Sequence, residues 1–157
     1  MRIEMIWFKP YTIEMLEGLR NANMGQHIGF EFTEVGDDFL RGKIPVDYRT
    51  TQPFGILHGG ANCVLSETLG SVAGWMAIDP NLYRAVGLEI NCNHIRAVTE
   101  GNVIGTCTAL HLGRRTQVWQ TDMIEEATGK RVAISRLTVA IIDQGTLSTQ
   151  KHHIHLQ

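Results

Sequence analysis

The chain has 157 residues, of which 43% are hydrophobic and 19% charged, enough apolar material for one core and too little charge for a disordered polymer. Fourteen Lys and Arg against sixteen Asp and Glu leave a formal charge of −2, which argues against a nucleic-acid partner. The most apolar stretch, Ala61 to Ile78, is broken by Asn62, Ser66, Glu67 and Ser71, so no membrane span is expected. Thr12 is placed to cap a short helix running to about Asn21, with Ile13, Leu16 and Leu19 at helical spacing. Ile28 to Val35 and Phe39 to Val46 read as two strands joined at Gly36-Asp37-Asp38, with Pro45 marking an edge or a bulge. A loop from Asp47 to Gly55 leads to Ile56-Leu57-His58-Gly59-Gly60. From Gly60 to about Ile78 apolar residues fall on nearly every side, which predicts a helix buried all round, ended by Asp79-Pro80-Asn81. Four further strands follow: Ala85 to Arg96, Val103 to Leu112, Thr116 to Ile124 and Arg131 to Ile142. One helix and this many short-linked strands predict an α+β class, an antiparallel sheet curled around the helix. The expected organisation is a single domain over residues 1–144 and a polar tail over 145–157, whose three histidines read as a frayed terminus rather than a metal-binding tract.

The first ten residues lack the apolar run of about 7–15 residues that a signal peptide needs, so a cytoplasmic protein is expected. Cys63, Cys92 and Cys107 are odd in number and have no CxxC pair, which predicts reduced thiols and neither a disulfide framework nor a zinc knuckle. No His/Asp/Glu group shows metal spacing and no phosphate-binding glycine loop is present, so no metal and no cofactor are expected.

Glu67 is the first chemical anomaly, a carboxylate in an otherwise apolar helix, where it loses hydration unless something compensates. It reads equally as a structural carboxylate and as a working one. Gly70, Ser71 and Gly74 share its face and leave room beside it. The second feature is His58-Gly59-Gly60 at the start of that helix. Glycines there let a ligand approach the backbone, and unpaired N–H groups of the first turn can hold a developing oxyanion; a plain glycine turn is the bland alternative. Gln52 can add a side-chain donor to the same carbonyl. Gly59 and Glu67 are eight residues apart, so they lie about 12 Å from one another along a helix rising ~1.5 Å per residue. One carbonyl cannot touch both, and if both act on it they come from two copies of the chain related by two-fold symmetry. His94-Ile95-Arg96, His111, Gly113-Arg114-Arg115 and Arg136 stand near strand ends, where arginines suit phosphates, although solvated turns use the same residues. Ser66 and Ser71 lack a GxSxG elbow, which weakens a serine nucleophile.

Pro53-Phe54-Gly55-Ile56-Leu57-His58-Gly59-Gly60 with Leu65-Ser66-Glu67-Thr68-Leu69-Gly70-Ser71 resembles the hot-dog-fold acyl-CoA thioesterases. The narrower likeness is to the branch of 1,4-dihydroxy-2-naphthoyl-CoA, 4-hydroxybenzoyl-CoA and phenylacetate-pathway thioesterases. Gly87 to His94, Leu110 to Arg114 and Gln117 to Gln120 extend it, so that it spans roughly Met5 to Ile142. The resemblance implies hydrolysis of an acyl-CoA, aromatic or medium-chain, to free acid and CoA, by a homodimer that commonly pairs into a homotetramer. It implies Glu67 as nucleophile or general base, Gly59 as oxyanion donor assisted by Gln52 and His58, and Ser71 beside the attacking water or acyl group. By the same likeness Gly87, His94, Ile95, Arg96, Ala97, His111, Leu112, Gly113, Arg114, Arg115, Thr116 and Arg136 would contact the CoA arm. Two rival functions stay open at this stage, a hydratase or dehydratase on the same fold and a non-catalytic acyl-CoA-binding regulatory dimer.

Overall fold

The computed structural model describes residues 4–20 and 23–145. Alternation of apolar and polar residues builds the sheet, because successive side chains in a strand face opposite sides. In β2 (Phe39–Pro45) Leu40, Gly42 and Ile44 are buried and their neighbours half-buried. The same period of two buries Val103, Gly105 and Cys107 of β4 (Asn102–Leu112), Gln117, Trp119, Thr121 and Met123 of β5 (Thr116–Glu125), and Ala133, Ser135, Leu137, Val139 and Ile141 of β6 (Arg131–Asp143). With β1 (Glu31–Val35) and β3 (Tyr83–His94) these form one six-stranded sheet in the order β1-β2-β4-β5-β6-β3, every pairing antiparallel. A single long helix, α3 (Gly59–Met76), lies against β2 through β6. Its seat is close: a methyl group on Gly70 would stand 2.6 Å from Leu137 Cδ2. Leu65, Leu69, Ala73 and Met76 point into the core with Trp119 and Leu137. Trp7 stacks on Trp119 at 6.0 Å between ring centroids, tying the N-terminal segment to the core. This is the α+β sheet packed on one helix that the pattern of elements predicts and the hot-dog architecture that the family resemblance implies, and no helix of the described residues is long and apolar enough to cross a membrane.

Four local expectations are corrected. Thr12 precedes α1 (Ile13–Glu17) but its side chain makes no capping bond; its hydroxyl instead bonds the Glu14 carboxylate, which lowers that group's pKa. The helical run ends in a 3₁₀ turn at Gly18–Arg20, and Asn21, like the tail beyond Gly145, lies outside the described residues. The first strand begins at Glu31 rather than Ile28, because Asn23 caps a four-residue helix, α2 (Met24–His27), too short to leave a periodic signature. Pro45 marks neither edge nor bulge; it is the last residue of an interior strand, opposite Asn102, where the ladder ends and its missing N–H is tolerated. The expectation of a helix buried all round also needs refinement, since Cys63, Val64, Glu67, Thr68, Ser71, Val72 and Trp75 of α3 are only half-buried in one chain.

Candidate active site

The loop before α3 is held by its own short polar side chains. The Asp47 carbonyl accepts the N–H groups of Thr50 (3.0 Å) and Thr51 (2.9 Å), and the buried Thr50 hydroxyl donates to the Pro45 carbonyl at 2.6 Å. Arg49 bonds the Asp47 carboxylate through Nε and Nη2, which holds that carboxyl below the usual range. His58 N donates to the Thr50 carbonyl and Leu57 N to that of Val98, each at 2.8 Å, so the chain enters the helix in one fixed direction. At the N-cap, His58 Nδ1 accepts the Gly60 N–H at 2.8 Å. Among the described residues no acceptor is paired with the neighbouring Gly59 N–H. Gly59 lines a cavity of about 310 Å³ together with Gln52, His94, Ile95, Arg96 and Ala97, all expected from the sequence, and with Ile56, Leu57 and Asn62, which were not. Gln52 Oε1 accepts the Phe54 N–H, leaving the amide NH₂ free to donate. The His94 ring stands over the helix start, 2.7 Å from where a Gly59 side chain would begin.

Two turns further along, Glu67 is half-buried on the same stripe of α3 as Gly59, Cys63 and Ser71. The Ser71 hydroxyl donates to Glu67 Oε1 at 3.3 Å. The same oxygen lies 2.6 Å from the point where a methyl group on Gly87 of β3 would stand, so the absence of a side chain at Gly87 gives the carboxylate its place. On the adjoining face of the helix, about 100° round from Glu67, Thr68 and Val72 open onto an apolar cavity of about 240 Å³ lined also by Leu19, Met24, Phe30 and Phe32. Sequence reasoning missed this cavity because α2, which supplies part of its wall, was not anticipated.

The remaining predicted residues are spread over the sheet rather than gathered. Across the strands Gly87 pairs with Val139, Val139 with Gln117, and Gln117 with Leu112. His94 lies seven residues further along β3 than Gly87, roughly 23 Å away at ~3.3 Å per residue. His111 and Leu112 line one surface hollow, Arg114 and Arg115 another with Tyr83 and Asp143, and Arg136 a third with Asn91 and Asn93. Gly113 N donates to the Thr116 carbonyl at 2.9 Å, closing the turn between β4 and β5. Among the described residues one chain therefore offers a donor end, a carboxylate two turns away and several basic strand ends, and the cavity at Gly59 shares no lining residue with the one at Thr68 and Val72.

The sequence showed no metal spacing, yet the packing of β3 against α3 gathers Cys63, Cys92 and His94 with one donor atom from each inside 4.8 Å. All three cysteines are free thiols. Burial pushes the Cys107 thiol up to about 12, and burial, aided by the neighbouring Cys63, does the same to Cys92.

The model of the thioesterase superfamily matches residues 54–131. The 1,4-dihydroxy-2-naphthoyl-CoA hydrolase of Escherichia coli is 48% identical over 138 residues, 88% of this chain and 100% of its own length. The proofreading thioesterase EntH of Cronobacter turicensis is 45% identical, covering 88% of this chain and 99% of its own. Among solved structures, a thioesterase from Haemophilus influenzae superposes with a TM-score of 0.85 at 42% identity, over 88% of this chain and 96% of that one.

Proposed function

The chain belongs to the thioesterase superfamily, and from that premise we propose that the thioester it hydrolyses is an acyl-CoA, with Glu67 as the catalytic carboxylate. The acyl carbonyl sits at the start of α3, its oxygen accepting the Gly59 N–H and the Gln52 amide, while His58 fixes the turn by capping Gly60. Water, deprotonated by Glu67, adds to the carbonyl carbon; the tetrahedral oxyanion collapses, the C–S bond breaks, and the proton returns to the leaving CoA sulfur. In the nucleophilic variant Glu67 itself adds, expels the thiolate and forms a mixed anhydride that water opens. Ser71 orients the carboxylate in either route. Both draw on water and protein groups alone.

The observation that carries this reading is the unpaired Gly59 N–H and the Glu67 carboxylate on one stripe of one helix, their residues about 12 Å apart along the helical rise. That separation is too long for one carbonyl, so the reaction centre combines Gly59 and Gln52 of one chain with Glu67 and Ser71 of its two-fold partner, in a homodimer that further pairs as a homotetramer. The same assembly brings Gly87, His94 to Ala97, His111 to Thr116 and Arg136 to the CoA arm, the arginines meeting its phosphates. The acyl group enters the cavity beside Thr68 and Val72. At about 240 Å³ it is smaller than the roughly 300 Å³ at which drug-sized sites begin, which suits a ring more than a long chain. The aromatic acyl group in the name of the Escherichia coli relative supports the same choice. With CoA esters as substrate, the protein works in the cytoplasm.

A thiol-release screen of aryl-, short- and medium-chain acyl-CoAs tests the proposal, with the highest kcat/KM expected for an aryl-CoA. Glu67→Gln lowers kcat by about 10²–10⁴-fold while CoA binding persists. A folded protein that releases no thiol from any of them, or a Glu67→Gln variant with near-normal turnover, contradicts it.

A further inference from the structure

Cys63, Cys92 and His94 play no part in the chemistry derived above as a group, yet two elements far apart in the chain deliver them to one spot. We propose that they form a three-ligand site for one soft divalent cation, typified by Zn²⁺. Two thiolates and an imidazole are a donor set that selects such an ion over Mg²⁺ or Ca²⁺. The geometry is close to what the ion needs. In a tetrahedral zinc site neighbouring sulfurs stand about 3.8 Å apart and sulfur and nitrogen about 3.5 Å. Here Cys92 Sγ is 3.8 Å from His94 Nδ1, and the three donor atoms fall inside 4.8 Å, so side-chain rotations of an ångström or less close the triangle. His94 presents Nδ1 to Cys92 and to Asn62 Nδ2 and directs Nε2 towards Gly59, so Nδ1 is the nitrogen placed to ligate.

Asn62 adds an independent sign. It is 4% exposed, its Nδ2 lies 3.4 Å from His94 Nδ1, and its Oδ1 has no donor among the described residues. A water filling the fourth position of the ion supplies a hydrogen that a buried, unpaired carbonyl oxygen can accept. Cys63 is one turn from both Gly59 and Glu67, so occupancy freezes the His94 ring over the oxyanion donor and slows turnover, a consequence that rests on the thioesterase reading.

The test titrates the full, reduced chain with Co²⁺ and then displaces it with Zn²⁺, with acyl-CoA turnover followed in parallel. One Co²⁺ per chain with a near-ultraviolet thiolate-to-cobalt charge-transfer band is expected. Cys63→Ala and Cys92→Ala, singly and together, weaken binding by about 100-fold or more and abolish the band while circular dichroism and metal-free turnover stay as in the parent. Absence of the band, or its survival in the double variant through Cys107 alone, overturns the site. Zn²⁺ inhibits the parent by about tenfold or more and spares the double variant; equal inhibition of both overturns the regulatory consequence. Failure of metal-free protein to turn over any acyl-CoA counts against the hydrolase reading and not against the site, because the band is read without substrate.

Discussion

A methyl group on Gly87 would stand 2.6 Å from Glu67 Oε1, and the carboxylate, as the free end of a flexible side chain, would swing aside to admit it. Gly87→Ala thus tests position without touching the charge. Misplacing a reacting group by about an ångström costs about 10²-fold, so kcat falls by that order while the melting temperature changes little. Steady-state kinetics with a thermal melt check this; an unchanged kcat would mean that the carboxylate's place does not matter. At this scale the sequence was partly legible. Glu67 and the His58-Gly59-Gly60 run stood out because a carboxylate in an apolar helix and paired glycines at its entry are conspicuous, whereas the roles expected of Gln52 and Ser71 came from the family resemblance. The role of Gly87 as the space beside Glu67 was not legible, because only the packing of β3 on α3 shows what a missing side chain makes room for.

Among the elements, the loop from Asp47 to His58 aims the helix start, and its stability depends on pH through Asp47. Arg49 lowers the Asp47 pKa in the folded state, so the pair contributes stability above the unfolded carboxylate value and loses it as pH falls through the folded one. Urea midpoints of the parent and Arg49→Gln, followed from about pH 6 to about pH 3, should differ at the upper end and converge at the lower; a difference that grows as pH falls contradicts the assignment. Helix α3 and strands β4 to β6 were readable to within two residues at each end because their patterns are long and are punctuated by Asp79-Pro80 and by the glycine turns at Gly101 and Gly129, both at positive φ. Helix α2 was not readable. Four residues show no period, and with them went the wall of the apolar cavity at Met24 and Phe30.

For the whole molecule, what one chain leaves open is as informative as what it buries. β3 pairs on one side only, and Val86 and Leu88 along it are 43% and 61% exposed. Beside that edge runs the half-buried stripe of α3 that carries Glu67. An unpaired strand edge with apolar side chains invites a second copy, and in the proposed homodimer that contact would bring a partner's carboxylate towards Gly59. Neither the free edge nor the cysteine and histidine cluster was visible in the sequence, since strand order and long-range packing are set by the fold rather than by local pattern. Subunit complementation tests the shared centre most directly. Glu67→Gln and Gln52→Ala chains, each nearly inactive alone, are mixed, dissociated and reassociated, with exchange verified by mass. The account predicts recovery to about a quarter of parental turnover, since half the dimers are mixed and one of their two centres is intact; full exchange without recovery would contradict it.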